Sequence, residues 1–453
     1  MASVTHTDVT NGIDGVPRNT AEETLWLDQG PDYAEFFEQC LLPNRPCILP
    51  PTLISDWDVI KSAAWQRSDG SVNWQHLIDQ YGDHISPVVV TSRQNQDTRI
   101  DMTVREAITL ILKAKQIQDQ TSEGRSQEQS TGPSVVYIKD WHLVRQLRQK
   151  RGTTTNGQAE PYTVPHTFAD DWMNNLGDSD GGQADDDDST DVPDDFRFVY
   201  AGMAGTKTLL HRDVYTSYSW STNVVGRKIW HLFPPRVIRH LRRFPQVETS
   251  ELVPDIDTLQ QILKARKNGD RSYPELELAW SHVQRVVQPP HTTIFVPSNW
   301  YHQVENLTDC ISINRNWCNS VNIPNLYSAI KTEVRHVEDS LEDVRQMLRE
   351  AADSRRLDEI SNSSDWQREF AALVQDLAIK DAGWAWLGFW NMIERNLRSP
   401  PTQPHLRPSE KWVRDRLLPL VLDFQAQSGT THLATDIVEA ATRCQVLLEQ
   451  LGT

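Results

Sequence analysis

Residues 196–317 read as short stretches of alternating apolar and polar side chains, each broken by turn chemistry. Side chains two residues apart share one face of a strand, so such a segment buries its apolar half only in sheets that pack together or close on themselves. A sandwich or barrel of antiparallel strands is expected. Gly226-Arg227 lies between residues 219–225 and 228–233 and puts glycine first, as a type II′ loop of a two-residue hairpin requires. Pro297-Ser298-Asn299 separates Ile294-Phe295-Val296 from a strand opening at His302. Residues 254–288 are expected to be a mixed, partly helical excursion.

The flanks follow other rules. Before the strand-rich stretch, helices are expected over 32–42, 74–81 and 103–115, and strands over 46–49, 86–91 and 135–138. Beyond Pro324 the period changes: Leu326, Ile330, Val334, Val337, Leu341, Val344 and Leu348 recur at intervals of three and four, one apolar face of a single long helix. Further helices are expected over 364–380, 381–397, 409–425 and 436–451. The last has Asp436 as N-cap, Glu439 three residues on and Gly452 past its end. The organisation is therefore a flexible tail over 1–20, a large domain over 21–324 and a helical region over 325–453. Polar insertions without apolar periodicity interrupt the large domain at about 117–134, 149–160 and 177–195. The helical region can complete the core or mediate self-association, so monomer and homodimer both stay open.

The formal charge of −17 disfavours direct binding to nucleic acid or to an anionic membrane, both of which reward clustered Lys and Arg. Much of that charge is local, because nine Asp and no Lys or Arg lie between Asp178 and Asp195. Such a run is read as a solvated loop. The five Cys form no C-x-x-C pair, no secretory leader opens the chain, and no run of 18 apolar residues occurs. A soluble protein of a reducing compartment, cytoplasmic and also nuclear, is expected.

The chemistry concentrates at His211-Arg212-Asp213. With 14 His and 62 acidic residues among 453, about two H-x-[DE] triplets arise by chance, and three occur. His6-Thr7-Asp8 lies in the expected tail, and His336-Val337-Glu338 lies on the long helix, where residues two apart point to nearly opposite sides. Only His211 and Asp213 fall where strand alternation sets both side chains on one face. One further histidine would complete a 2-His-1-carboxylate set, which leaves open positions and suits non-haem Fe(II). On position alone His302, His231, His240, His282 and His291 compete for that place.

Residues 211–235 and 295–319 resemble the Jumonji-C (JmjC) family of Fe(II)- and 2-oxoglutarate-dependent oxygenases. The resemblance rests on H-x-D followed far downstream by Phe295-Val296-Pro297-Ser298-Asn299-Trp300-Tyr301-His302. Tyr137-Ile138-Lys139-Asp140-Trp141-His142-Leu143, Phe198-Val199-Tyr200-Ala201-Gly202, Ser217-Tyr218-Ser219-Trp220-Ser221, Gly226-Arg227-Lys228 and Ile311-Ser312-Ile313-Asn314-Arg315-Asn316-Trp317 carry it further, toward the JmjC domain-containing protein 4 subfamily of lysyl hydroxylases. It implies an α+β chain built on a double-stranded β-helix, a jelly-roll or cupin-like barrel, with mixed α/β elements before it and helices after it. His302 becomes the implied third iron ligand, and Lys228 the cation for the far carboxylate of 2-oxoglutarate. Thr208 and Tyr137 stand where relatives supply hydroxyls to that carboxylate, Asn314 where some have another polar contact, and Ser221 where several have Asn. Trp220, Trp230, Trp300 and Trp317 are read as barrel packing.

The implied reaction uses 2-oxoglutarate and molecular oxygen to hydroxylate a lysyl side-chain carbon, with a translation termination (release) factor as protein substrate. Two other readings stand beside it. One is an N-methyl-lysine demethylase with the same iron and co-substrate, disfavoured by the lack of zinc-reader Cys/His clusters. The other is an inactive barrel serving as an interaction module.

Overall fold

A computed structural model describes residues 22–92, 96–122, 134–151, 160–175, 196–266, 269, 271–356 and 365–452. The expected tail over 1–20, residues 123–133 of the first expected insertion, 152–159 of the second and the whole of 177–195 lie outside that set. Two compact units divide the chain, one over 1–165, 195–213 and 219–316, the other over 166–194, 214–218 and 317–453.

The first unit carries the strands β1 (Leu25–Trp26), β2 (Cys47–Leu49), β3 (Ile85–Thr91), β4 (Asp97–Thr103), β5 (Val135–Trp141), β6 (Arg197–Gly202), β7 (Lys207–His211), β8 (Tyr218–Val225), β9 (Lys228–Phe233), β10 (Gln284–Gln288), β11 (Thr293–Val296), β12 (Tyr301–Asn306) and β13 (Cys310–Trp317). They form a nine-stranded sheet in the order β1-β2-β11-β8-β13-β6-β5-β3-β4 and a four-stranded sheet in the order β10-β9-β12-β7. The smaller sheet is antiparallel throughout. Ile48, Ile294 and Val296 of the larger sheet share one buried cluster with Trp230, Leu232, Val286 and Val304 of the smaller, so the two sheets pack face to face as in a jelly roll. Trp220, Trp230, Trp300 and Trp317 are all buried, as packing residues are.

Several local expectations change. β8 and β9 are not the arms of a hairpin: β8 pairs with β11, whereas β9 pairs with β10 and β12 in the other sheet. Gly226-Arg227 is instead the corner by which the chain passes between sheets. Gly226 has φ 88°, and a Cβ there would lie 2.2 Å from the Asp309 carbonyl oxygen and 2.5 Å from Cys310 Sγ. Both facts require glycine. Gly226→Ala is therefore expected to destabilise the fold by about 1–3 kcal/mol, read as a lowered midpoint in chemical denaturation.

The helix expected over 103–115 runs Val104–Ser122, so residues 117–122 are helical rather than part of an insertion. Gln116, Gln118 and Gln120 keep good helix propensity after the apolar period stops, and Gln118 Nε2 donates to Ser134 O at the start of β5. β4 has no sequence signal, since nearly all of it is exposed and it buries no face.

In the second unit the long helix is two, Ile323–Ser340 and Glu342–Arg356. Ser340 Oγ donates to the Val337 carbonyl, competing with the helix backbone, and Glu342 and Asp343 favour a fresh helix N-terminus. Asp436 is not an N-cap: the helix Thr435–Gln450 is preceded by Ala434, and Asp436 sits in its first turn. Gly452, with φ 69°, does stand past the helix end. Trp172 N–H donates to the Cys318 carbonyl and Asn396 Nδ2 to the Trp172 carbonyl, which ties residues 166–175 into this unit. No helix among the described residues is long and apolar enough to cross a membrane.

Candidate metal centre

β7 and β12 pair antiparallel with His302 directly opposite His211, and this register brings the two imidazoles together. Their ring centroids lie 4.3 Å apart. Asp213 joins them, so that one potential ligand atom from each of the three lies within 4.8 Å of the others. No other such group of His, Cys, Asp or Glu occurs among the described residues.

Strand alternation does not explain Asp213, because β7 ends at His211 and Asp213 stands beyond it, before the turn at Val214–Thr216. Its carboxylate is aimed by a hydrogen bond instead: Ser219 Oγ of β8 donates to Asp213 Oδ2 at 2.6 Å. Ser219 lies in the Ser217–Ser221 stretch that carries the family resemblance, but the sequence assigns it no role. Removing a group that orients a metal ligand costs roughly 10–100-fold in metal affinity, and Ser219→Ala is expected to weaken divalent-metal binding by that amount in a titration calorimeter.

The tautomers follow from geometry. His211 Nδ1 lies 2.8 Å from the Leu209 carbonyl and His302 Nδ1 3.1 Å from the Trp300 carbonyl. A carbonyl only accepts, so each Nδ1 carries the proton and each Nε2 presents a lone pair. Burial, and next the neighbouring His302, push the His211 pKa down to about 4, which keeps it neutral at physiological pH. Two neutral imidazole nitrogens from the paired strands β7 and β12 and one carboxylate oxygen from just beyond β7 fit the three-ligand set of non-haem Fe(II).

The rival histidines are placed elsewhere. His231 is opposite Gln303 while Leu232 is opposite His302, so His231 lies on the other face of the sheet. His240 hydrogen-bonds Glu275, His282 reaches the Leu278 carbonyl, and His291 occupies a turn at φ 61°.

Lys228 opens β9 and is buried. Its Nζ donates to Ser312 Oγ at 2.6 Å and lies 5.9 Å from the centre of the Tyr200 ring. It pairs with no carboxylate among the described residues. Burial lowers its pKa to about 8. An isolated buried cation is costly, and an anionic ligand would offset that cost through a charge-assisted bond.

The other expected contacts fall on the strands that surround this lysine. Tyr137 of β5 is buried and hydrogen-bonds Thr208 of β7, and burial raises its pKa well above the usual tyrosine range. It lies opposite Gly202, where a Cβ would stand 2.5 Å from the ring, so glycine there makes room for it. Asn314 shares the Ser312 face of β13, and its buried Oδ1 has no partner. Ser221 shares the Ser219 face of β8, and its buried Oγ also lacks one. Sequence reasoning misses Ser312 and Tyr200. Both lie inside motifs that carry the family resemblance, and alternation from Asn314 sets Ser312 on the same face.

Residues 33–323 match the model of the cupin-like domain, and this chain belongs to that family. Within that family it resembles JmjC proteins. Over 322 residues it is 33% identical to the human "2-oxoglutarate and iron-dependent oxygenase JMJD4", covering 70% of this chain and 66% of that protein. It is 31% identical over 329 residues to "Arginine-specific demethylase JMJ20" of Arabidopsis thaliana, covering 70% and 61%. With "JmjC domain-containing protein 1" of Schizosaccharomyces pombe it shares 27% identity over 451 residues, covering 91% and 86%. The chain thus spans just under two thirds of the length of the human relative.

Proposed function

We propose that the protein is an Fe(II)- and 2-oxoglutarate-dependent oxygenase that hydroxylates a lysyl side-chain carbon of a protein, with a translation termination factor as its substrate in the cytoplasm or nucleus. The observation that carries this reading is Lys228, a buried cation without a carboxylate partner among the described residues, on the strand paired with that of His302. Iron with 2-oxoglutarate and molecular oxygen supplies oxidative decarboxylation to succinate and carbon dioxide, coupled to hydroxylation of a C–H bond.

The chain's own residues bind and orient. His211 and His302 offer Nε2, and Asp213, steadied by Ser219, offers an oxygen. Lys228 and Ser312 present a cation and a hydroxyl to the remote carboxylate of the co-substrate, with Tyr137 and Thr208 as further hydroxyls. Trp230, whose ring lies 5.6 Å from that of His302, helps to exclude water. The human relative is named an oxygenase, which supports the reaction class, whereas the Arabidopsis relative is named an arginine demethylase, which keeps demethylation as the second reading.

One experiment separates the readings. Purified protein is incubated with Fe(II), 2-oxoglutarate and a release factor, and succinate and intact peptide masses are followed. A gain of about 16 Da on an unmodified lysine, with matched succinate, is the expected result. Loss of methyl groups from methylated peptides alone would favour demethylation. Absence of succinate with every substrate would leave an interaction module.

A further inference from the structure

The helical unit holds a polar cavity of about 250 Å³, lined by Asp170, Trp172, Ser320, Arg407, Val413 and Leu451 among others. Asp170 is 1% exposed, and its Oδ1 accepts from the Trp172 indole N–H at 2.9 Å, while its Oδ2 has no hydrogen-bond partner. Ser320 is fully buried and its Oγ is unpartnered, as is the buried Nε of Arg407. Asp170 and Arg407 sense each other's charge without forming an ion pair. A buried carboxylate oxygen, hydroxyl and guanidinium N–H thus line one cavity, with Asn319 the one side chain besides Trp172, among the described residues, that reaches the carboxylate.

We propose that this cavity binds a small zwitterion of the α-amino acid class, whose ammonium donates to Asp170 and whose carboxylate accepts from Arg407 and Ser320. Charge decides the class. A simple cation would satisfy Asp170 and leave Arg407 unpaired, and a simple anion would do the reverse. A zwitterion pairs both and adds no net charge to a partly dry site. Size agrees, since the cavity falls below the roughly 300–1,000 Å³ of sites for drug-sized molecules. The walls contributed by Trp172, Val413 and Leu451 favour an aliphatic side chain. This site uses none of the residues of the metal centre and does not rest on the oxygenase reading.

The test is calorimetric titration of the full-length protein at pH 8, above the value of about 7 to which burial raises Asp170. The probes are a panel of L-α-amino acids, together with the amide and the N-acetyl derivative of each. Saturable binding by an aliphatic amino acid is expected, weakened on the order of tenfold or more when either charge is blocked. Asp170→Asn and Arg407→Gln should weaken it comparably. Because Asp170 is buried, its variant is used only if its thermal transition matches the parent protein's. Otherwise the partly exposed Arg407 carries the comparison. No binding by any panel member, equal binding of the blocked derivatives, or unchanged binding by a folded variant would each overturn the proposal.

Discussion

Asp213→Ala should abolish co-substrate turnover, with succinate release falling at least ~100-fold, because loss of a ligand costs more than the roughly 10–100-fold lost with a group that merely orients one. Divalent-metal binding should fall with it, measured directly by calorimetry on the metal-free protein. The reason lies in the geometry: His211 and His302 face each other across β7 and β12, and without Asp213 two imidazoles remain with no anionic ligand to balance a dication. His231→Ala is the matched control, since His231 occupies the opposite face of the same sheet. If metal binding survived Asp213→Ala unchanged, the three-residue centre would be wrong.

Lys228→Met should separate two effects. Truncating one partner of a buried charge pair costs about 2–5 kcal/mol, so the concentration of 2-oxoglutarate for half-maximal turnover should rise about 30-fold or more. The ligand-free variant should at the same time be more stable than its parent. Burial lowers the amine from its ordinary value of 10.5 to about 8. Below pH 8 the amine is charged in the folded and unfolded chains alike, and the folded state bears the whole desolvation cost, of the order of 3 kcal/mol. From pH 8 to 10.5 the unfolded chain binds the extra proton, so the parent's stability rises across that window relative to Lys228→Met. Above pH 10.5 the cost is gone. Binding of 2-oxoglutarate should weaken as pH passes 8, since its carboxylate then meets a neutral amine. Turnover at varied 2-oxoglutarate checks the first expectation, and denaturation midpoints of parent and variant from pH 7 to 10.5, with and without 2-oxoglutarate, check the others.

Legibility in the sequence varies from element to element. The hydroxyl-bearing and cationic residues of the co-substrate cradle come from a resemblance carried by short motifs, and the fold places Lys228 on β9 and Thr208 on β7 of the smaller sheet and Tyr137 on β5 of the larger, with Lys228 and Tyr137 buried. The roles of Ser219 and Ser312 are not legible there, because a serine that aims a carboxylate or accepts from a lysine looks like any other serine on an alternating strand. β4 escapes notice because a strand that buries no face leaves no apolar period. The long helix reads as one because its apolar spacing continues through Leu341, while the break is made by Ser340 and the acidic pair after it.

Whatever depends on near neighbours along the chain is written in the amino acids themselves. That covers the two-residue period of residues 196–317 and the helical period after Pro324. Strand register and sheet membership emerge only when the chain is folded. Folding sets His302 opposite His211, sends β8 and β9 into different sheets, and holds Asp213 through a serine rather than through strand alternation. A local pattern tells which face of a strand is apolar, whereas the partner across the ladder is chosen by packing among segments nearly a hundred residues apart.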